Sequence, residues 1–426
     1  MSEKKNSYII TFKAKDKRAD KKSDKADLFR SIVRAHMNVV DVLSTPRMPF
    51  PMTQENMVLD INEYEMPIMA ATLSEEEHAT IRRDPNIERV EPDGKCFALY
   101  DNNPMQQPFV HHHGLRQPFP STQIPYSFAP QSAAALQSIP WGIERVKAPQ
   151  AWDITRGKGI KVAVLDTGID YTHPDILPNY RGGISFVPTE TDPRDHNRHG
   201  THVAGTIAAA DNDFGVVGVA PAAYLYAVKV LSSGGSGNWS WLIAGIAWCV
   251  RMGMHVLNMS LGGSQAPEAL GTVCDFAWRN GLILVAAAGN DPRTPVGFPA
   301  KYPSVIAVSA IDSADVVAPW VSKGPEVELA APGVNIPSTL PGNTYGALSG
   351  TSMASPHVAG AAALALSSHR WPPAGMAHNV AIRRLLAATA DNLGRPGRDE
   401  EYGFGRVDAE EAAFSLPVPP AIPGIP

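Results

Sequence analysis

Cysteine is scarce in this 426-residue chain: Cys96, Cys249 and Cys274 are the only three. Three thiols cannot build a disulfide framework, and they lack the paired spacing of a zinc site. They read as small buried hydrophobes, with Cys249 and Cys274 on neighbouring helical stretches as the one pair that could join. A run of 18 apolar residues is also missing, which excludes a membrane-spanning helix. The start of the chain lacks the apolar core of an export signal, so the expectation is a cytoplasmic protein, or an exported one whose leader is gone or that leaves by another route. Excess positive charge is absent too, with a formal net charge of -5. That argues against a phosphate-binding surface, and the Lys-rich opening, mixed with Asp and Glu, reads as a solvated terminus rather than a nucleic-acid arm.

What is present falls into four stretches. Residues 1–100 alternate strand and helix patterns: a strand at Tyr8 to Phe12, a helix carrying Leu28, Ile32 and Ala35, and a strand at Val39 to Leu43. A second half repeats the scheme, with a strand at Met66 to Thr72, a helix opened by the capping pair Ser74 and Glu77, and a strand at Ile87 to Val90. This β-α-β-β-α-β order predicts a ferredoxin-like α+β unit. Residues 101–136 turn to Pro, Gln and His without periodicity, the composition of a linker, and the triple histidine at 111–113 reads as a solvated tract. Residues 137–416 alternate short apolar runs with helical patterns, which predicts a parallel sheet covered by helices on both faces. Residues 417–426 form a Pro-rich tail.

In such sheets reactive groups gather beyond the carboxyl ends of the strands. The run Ile160 to Leu165 leads directly to Asp166-Thr167-Gly168, Val256 to Met259 to Ser260-Leu261-Gly262-Gly263, and Leu282 to Ala287 to Ala288-Gly289-Asn290. Each could be a plain turn. His199 opens a helix of small residues in the run HGTHVAG, and Ser352 stands at the first turn of an Ala-rich helix in GTSMASPHVAG. Unpaired N–H groups and the positive helix end favour negative charge beside that serine. A zinc site on His196, His199 and His202 would want a carboxylate or thiolate at fixed spacing, which is missing. An alcohol, an imidazole and an acid together make an activated nucleophile, with Asp166 orienting His199, His199 deprotonating Ser352, and Asn290 with the Ser352 N–H holding an oxyanion. The α/β-hydrolase plan fails here, since Ala354 stands where its second glycine would be and no histidine follows Asp391.

The order Asp166, His199, Ser352, together with the motifs around Asp166, His199, Asn258 to Gly263, Ala288 to Asn290 and Gly350 to Pro356, resembles the subtilisin-like serine proteases. The resemblance covers roughly residues 137–416 and implies their parallel α/β fold and an acyl-enzyme mechanism. By the same resemblance Gly235, Ser236 and Gly237 on one side, and Ser260, Leu261 and Gly262 on the other, are edges between which a substrate adds as a strand. Gly289 and Gly297 are implied walls of a roomy first pocket suited to a large apolar side chain, and Trp239 the lid of a more distant one. Asp291 at the pocket rim would admit a basic side chain as well. A structural calcium is implied at Gln137, Asp175 and Asn212, with carbonyl oxygens of Ala210, Phe214 and Val216. Residues 1–100 resemble the inhibitory propeptide of that family, whose last residues, Leu99 or Tyr100, would be the site of self-cleavage. The implied partners are protein and peptide substrates and the chain's own propeptide, in a secreted monomer that binds neither nucleic acid nor membrane. A selective processing protease and an inactive peptide binder are the alternatives.

Overall fold

A computed structural model describes residues 5–13, 59–60, 68–100, 136–368, 376–414, 421–423 and 425. The N-terminal unit comprises β1 (Asn6–Phe12), β2 (Leu59–Asp60), β3 (Ile68–Leu73), α1 (Glu75–Ile81) and β4 (Ile87–Pro92). Its strands form one antiparallel sheet in the order β2-β3-β1-β4. Ser74 and Glu77 close the expected capping box: Ser74 Oγ accepts from the Glu77 N–H at 3.2 Å, and Glu77 Oε2 from the Ser74 N–H at 2.7 Å. The helix expected around Leu28 to Ala35 and the strand at Val39 to Leu43 lie outside the described residues. Period-two alternation sorts the sheet's side chains. Ile10, Phe12, Met69, Ala71 and Leu73 pack with Ile81 and Ile87 in a small core of their own, whereas Ile9 and Ile68 join the core of the larger unit.

The larger unit is built on β6 (Lys161–Asp166), β7 (Tyr180–Ser185), β8 (Tyr224–Lys229), β10 (Val256–Met259), β12 (Ile283–Ala287), β13 (Ile306–Ile311) and β14 (Val327–Pro332). They make a seven-stranded parallel sheet in the order β14-β13-β12-β10-β6-β8-β7. Every residue of β10, β12, β13 and β14 is buried, as strands covered on both faces require. The cover comes from α2 (His199–Ala208), α3 (Trp239–Arg251), α4 (Glu268–Arg279), α5 (Thr351–Ser367), α6 (His378–Ala388) and α7 (Ala409–Phe414). Helix α5 crosses β10, β12, β13 and β14, and α2 packs on α5. Cys249 and Cys274 are buried, free thiols, so the pair does not form; Cys96 is free as well. No helix among the described residues is long and apolar enough to cross a membrane.

Three elements break the apolar pattern. Strand β7 is a half-exposed edge with a register shift at Tyr180/Gly182. Strand β14 hides a carboxylate, Glu328, which is 1% exposed and meets Arg383 of α6 at 2.6 Å. The hairpin of β15 (Ile336–Leu340) and β16 (Thr344–Leu348) turns at Gly342 and Asn343, both at positive φ.

The small unit docks on two helix starts that supply no cap of their own. Glu91 Oε1 accepts from the Glu268 N–H at 2.7 Å and Oε2 from that of Ala269 at 3.3 Å, capping α4. Asp93 Oδ1 accepts from the Ser240 N–H at 3.0 Å, and its Oδ2 from Ser240 Oγ, Asn238 Nδ2 and Ser7 Oγ at 2.7, 3.0 and 3.0 Å, capping α3. Each carboxylate thus satisfies orphan N–H groups at the positive end of a helix. In a chain carrying Ser352→Ala, Asp93→Ala is expected to weaken docking by about 2 kcal/mol and to speed amide exchange at Cys96 and Ala98 roughly 30-fold. Unchanged exchange would show that the carboxylate contributes nothing.

Two buried histidines tie stability to pH. Burial pushes His202 down to about 3 and His357 down to about 4. The unfolded chain takes up these protons near pH 6.5 and the folded chain does not, so stability is full above that value and falls as pH drops toward 4. Equilibrium urea unfolding of the Ser352→Ala chain is expected to lose about 3 kcal/mol between pH 6.5 and 5. A flat profile over that window contradicts neutral burial of the pair.

Candidate active site

Strand β6, beside the middle strand β10, delivers Asp166 at its carboxyl end, fully buried. Asp166 Oδ1 accepts from the Thr167 N–H at 2.6 Å and lies 2.7 Å from His199 Nδ1. The proton of that bond sits on Nδ1, which leaves Nε2 as the acceptor end of the ring. Nε2 is buried without a hydrogen-bond partner. His199 is the first residue of α2, and the helix approaches the Asp166 turn because Gly200 has no side chain. A Cβ at Gly200 would stand 2.0 Å from the Gly168 carbonyl oxygen.

Helix and strand are tied by Asp195, which is 2% exposed and which sequence reasoning missed. Its Oδ1 accepts from Thr167 Oγ1 at 2.9 Å and from the N–H groups of Asn197 and Arg198 at 2.8 and 3.1 Å. Its Oδ2 accepts from the Thr201 N–H at 2.9 Å and from Thr201 Oγ1 at 2.7 Å. A second missed pair lies beneath: the fully buried Lys229 Nζ donates to the Thr167 carbonyl and stands 3.0 Å from Glu190 Oε2. Lys229 closes the apolar strand β8, whereas Asp195 and Glu190 stand in the loop before His199 with no apolar run leading into them.

Ser352 is the second residue of α5, behind Gly350 at φ 155. Its Oγ donates to the Ser260 carbonyl at 2.9 Å and accepts from the Leu99 N–H at 3.1 Å. The hydroxyl therefore rests on Ser260 rather than on His199. Leu99 O faces the Ser352 N–H at 3.4 Å. Asn290 turns its amide nitrogen to the same place, because its Oδ1 is held by the Thr351 N–H and Oγ1 at 3.0 and 2.7 Å. A Cβ at Gly350 would meet Leu99 O at 2.5 Å and Asn290 Nδ2 at 3.2 Å, so carbonyl and amide are neighbours. Asn290 Nδ2 is buried and unpartnered. The Tyr100 ring lies 4.7 Å from the His199 ring. Asp166, His199, Asn290 and Ser352 are thus brought together around one peptide bond, Leu99–Tyr100.

The segment before that bond, β5 (Lys95–Ala98), is the middle strand of a three-stranded antiparallel sheet between β9 (Ser236–Asn238) and β11 (Leu261–Gly262). Cys96 pairs with Gly237 and Phe97 with Ser236 on one side; Ala98 pairs with Leu261 and Phe97 with Gly262 on the other. The Ala98 N–H donates to the Gly235 carbonyl at 3.0 Å and that of Leu99 reaches the Ser260 carbonyl at 3.4 Å. Leu99 Cδ1 would lie 3.1 Å from a Cβ at Gly262. Gly289 abuts Ser322 and Gly297 abuts the Gly263 carbonyl, and Trp239 is 1% exposed between Gly94 and Gly263. The Asp291 carboxylate, expected to serve basic side chains, is instead clasped by Arg293, whose Nε and Nη2 donate to it at 2.9 and 2.9 Å. Hydrogen bonding from Arg293 holds that carboxyl below its ordinary range.

The residues expected to hold calcium also converge. Gln137 Nε2 donates to the Ala210 carbonyl at 2.9 Å, Asn212 Nδ2 donates to Asp175 Oδ1 at 3.1 Å, and the Val216 N–H donates to Asp175 Oδ2 at 3.0 Å. Phe214 lies on the same loop, bridged to Leu136. Among the described residues no three or more His, Cys, Asp or Glu side chains cluster as a metal site. His202 accordingly spends Nε2 on the Ile336 carbonyl at 2.8 Å.

Comparison with known proteins identifies the families to which the two units belong. The subtilase family (peptidase S8) matches residues 157–405 and the peptidase inhibitor I9 family matches residues 7–97. Subtilisin of Bacillus pumilus is 52% identical over 284 residues, 65% of this chain and 99% of that protein. Subtilisin E of Bacillus subtilis (strain 168) is 52% identical over 284 residues, 65% of this chain and 72% of that protein. The alkaline protease of Shouchella clausii is 42% identical over 355 residues, 83% of this chain and 81% of that protein. A buried acid–imidazole pair, an alcohol at a helix start and an inhibitor-like strand laid across them belong together, and the chain is a member of the subtilase family of serine endopeptidases with an N-terminal inhibitor-type propeptide.

Proposed function

We propose that the chain is a self-processing zymogen in which Asp166, His199 and Ser352 cleave the Leu99–Tyr100 bond and then extended polypeptides by the same route. The observation that carries this reading is the seating of Leu99: its N–H on Ser352 Oγ, its carbonyl facing the Ser352 N–H, and the strand before it between two edges of the cleft. Residues 1–100 then act as propeptide, 101–136 as an activation segment, 137–416 as the peptidase and 417–426 as a tail. The family resemblance favours a secreted monomer acting on proteins and peptides.

In the first step Ser352 Oγ leaves the Ser260 carbonyl and turns to His199 Nε2, which takes its proton as the oxygen attacks the Leu99 carbonyl carbon. Asp166 fixes the tautomer that leaves Nε2 free and stabilises the imidazolium. The developing oxyanion gains the Ser352 N–H and Asn290 Nδ2, a donor of a kind worth about 3 kcal/mol in such sites. His199 passes its proton to the Tyr100 nitrogen, the first product departs, and water releases the acyl group. With Asp291 neutralised by Arg293 and Leu99 against Gly262, the first pocket suits large apolar side chains over basic ones. The wild-type chain is expected to yield a fragment ending at Leu99 by mass spectrometry, and the Ser352→Ala chain to stay whole. Identical processing of both sinks the reading.

The calcium assignment fits the donors. Turning over the Gln137 and Asn212 amides would offer two oxygens beside the Asp175 carboxylate and the Ala210 carbonyl, an all-oxygen set for a hard cation. Phe214 and Val216 would add backbone oxygens. A calcium there cross-links residues around 137, 175 and 210–216 and contributes stability in proportion to ln(1 + [Ca]/Kd). Chelation is expected to lower the melting temperature of the Ser352→Ala chain by on the order of 5–10 °C, and calcium to restore it; an unmoved transition removes the site.

A further inference from the structure

We infer that the cleft selects an aromatic residue on the leaving side of the scissile bond, with Arg198 as the specificity-determining side chain. This deepens the reading above and rests on it, because it takes Tyr100 as the residue after the bond. Tyr100 is 4% exposed. Its ring stands 4.7 Å from the His199 ring at an interplanar angle of 31°. The guanidinium carbon of Arg198 is 5.7 Å from the same ring centroid. The phenol oxygen reaches Asn197 Oδ1 at 3.4 Å. Three consecutive residues, Asn197, Arg198 and His199, therefore contact a single side chain.

The three are held in place. Asp195 fixes the N–H groups of Asn197 and Arg198, and Asn197 Nδ2 donates to the Ser233 carbonyl at 2.8 Å. Arg198 itself sits at φ 132, ψ -27, a region sparsely occupied by residues with a Cβ and maintained only where surrounding contacts dictate it. A glycine would take that backbone without strain, yet the chain keeps a long cationic side chain there, and it lies over the ring. Arg198 and His199 both come within the distance at which a π face attracts a cation. His199 becomes a cation only when it takes the serine proton. An aromatic ring beside it hence stabilises the reacting state more than the ground state, so the preference should register in kcat/KM. An aliphatic residue of similar size fills the space without offering that face.

The full chain, allowed to process itself and titrated for active sites, is given peptides that keep residues 95–99 and differ only in the next residue: Tyr, Phe, Leu or Ala. The expected kcat/KM for Tyr and Phe is on the order of tenfold above Ala and several-fold above Leu. Arg198→Ser is expected to shrink the Tyr-to-Ala ratio several-fold, and Arg198→Lys to retain most of it. Equal rates for Leu and Tyr, a Tyr-to-Ala ratio near one, or an unaltered ratio in Arg198→Ser each overturn the assignment. Failure to cut any of the four peptides is a different result: it overturns the enzymatic reading and this inference with it.

Discussion

One bond organises the molecule: the 2.7 Å contact between Asp166 Oδ1 and His199 Nδ1, two groups with no solvent exposure at the mouth of strand β6. Burying a carboxylate there is costly unless hydrogen bonds satisfy it. The surroundings do so for Oδ1, which takes both bonds, while Oδ2 is buried without a partner. The structure around the carboxylate is tied in layers. Asp166 receives the Thr167 N–H, Thr167 Oγ1 turns to Asp195, Asp195 grips the first turn of α2, and Lys229 anchors the Thr167 carbonyl from below. Strand β6 and helix α2 thus meet through a polar knot, and the missing Cβ at Gly200 lets them come close enough. The orientation of His199, and with it the free Nε2, follows from that knot.

The same logic sets the alcohol. Ser352 is placed by the start of α5, and Thr351 beside it clamps the Asn290 amide by its oxygen, which leaves the nitrogen near Gly350, as the Leu99 carbonyl is. Orienting an amide by its oxygen leaves its donors free and unpartnered in a buried place, which is unfavourable until a developing oxyanion arrives. Asn290 Nδ2 and His199 Nε2 are both such idle groups. Their lack of partners is what the proposed roles, holding an oxyanion and taking a proton, require.

Much of this was legible because it obeys simple rules. Asp166, Ser260 and Asn290 follow apolar runs that had to be strands, so the strand-end rule pointed to them, while Ser352 and His199 stood out as polar residues opening helices of small residues. The pair Ser74 and Glu77 was readable from its capping spacing, and the edges at Gly235 to Gly237 and Ser260 to Gly262, which flank β5, came from the family resemblance alone. Strand β14 escaped notice because Glu328 interrupts its apolar run, and its partner Arg383 comes from a helix far along the chain. Strand β7 lacked the signal altogether, being half exposed. Asp195, Glu91 and Asp93 act by accepting hydrogen bonds across the fold, a role that no local spacing announces. That Asp291 already has a cationic partner, Arg293, was not legible, since Arg293 read only as another loop residue.

In the proposed function the propeptide strand and a substrate use the same hydrogen bonds, so affinity alone does not separate inhibitor from substrate. What separates them lies outside the strand. Glu91 and Asp93 cap α4 and α3, adding contacts that a free peptide lacks. These hold Leu99 in the cleft whether or not its carbonyl has been attacked. Ser352 Oγ meanwhile rests on the Ser260 carbonyl and accepts the Leu99 N–H; in the proposed reaction it relinquishes both before His199 takes its proton. A hydroxyl rotates about one bond with a low barrier, so the resting contact slows attack only modestly. In the proposed function the helix caps are untouched by cleavage of the Leu99–Tyr100 bond, so inhibition by the cleaved propeptide would rest on Glu91, Asp93 and the sheet behind them, and cleavage on the alcohol in front.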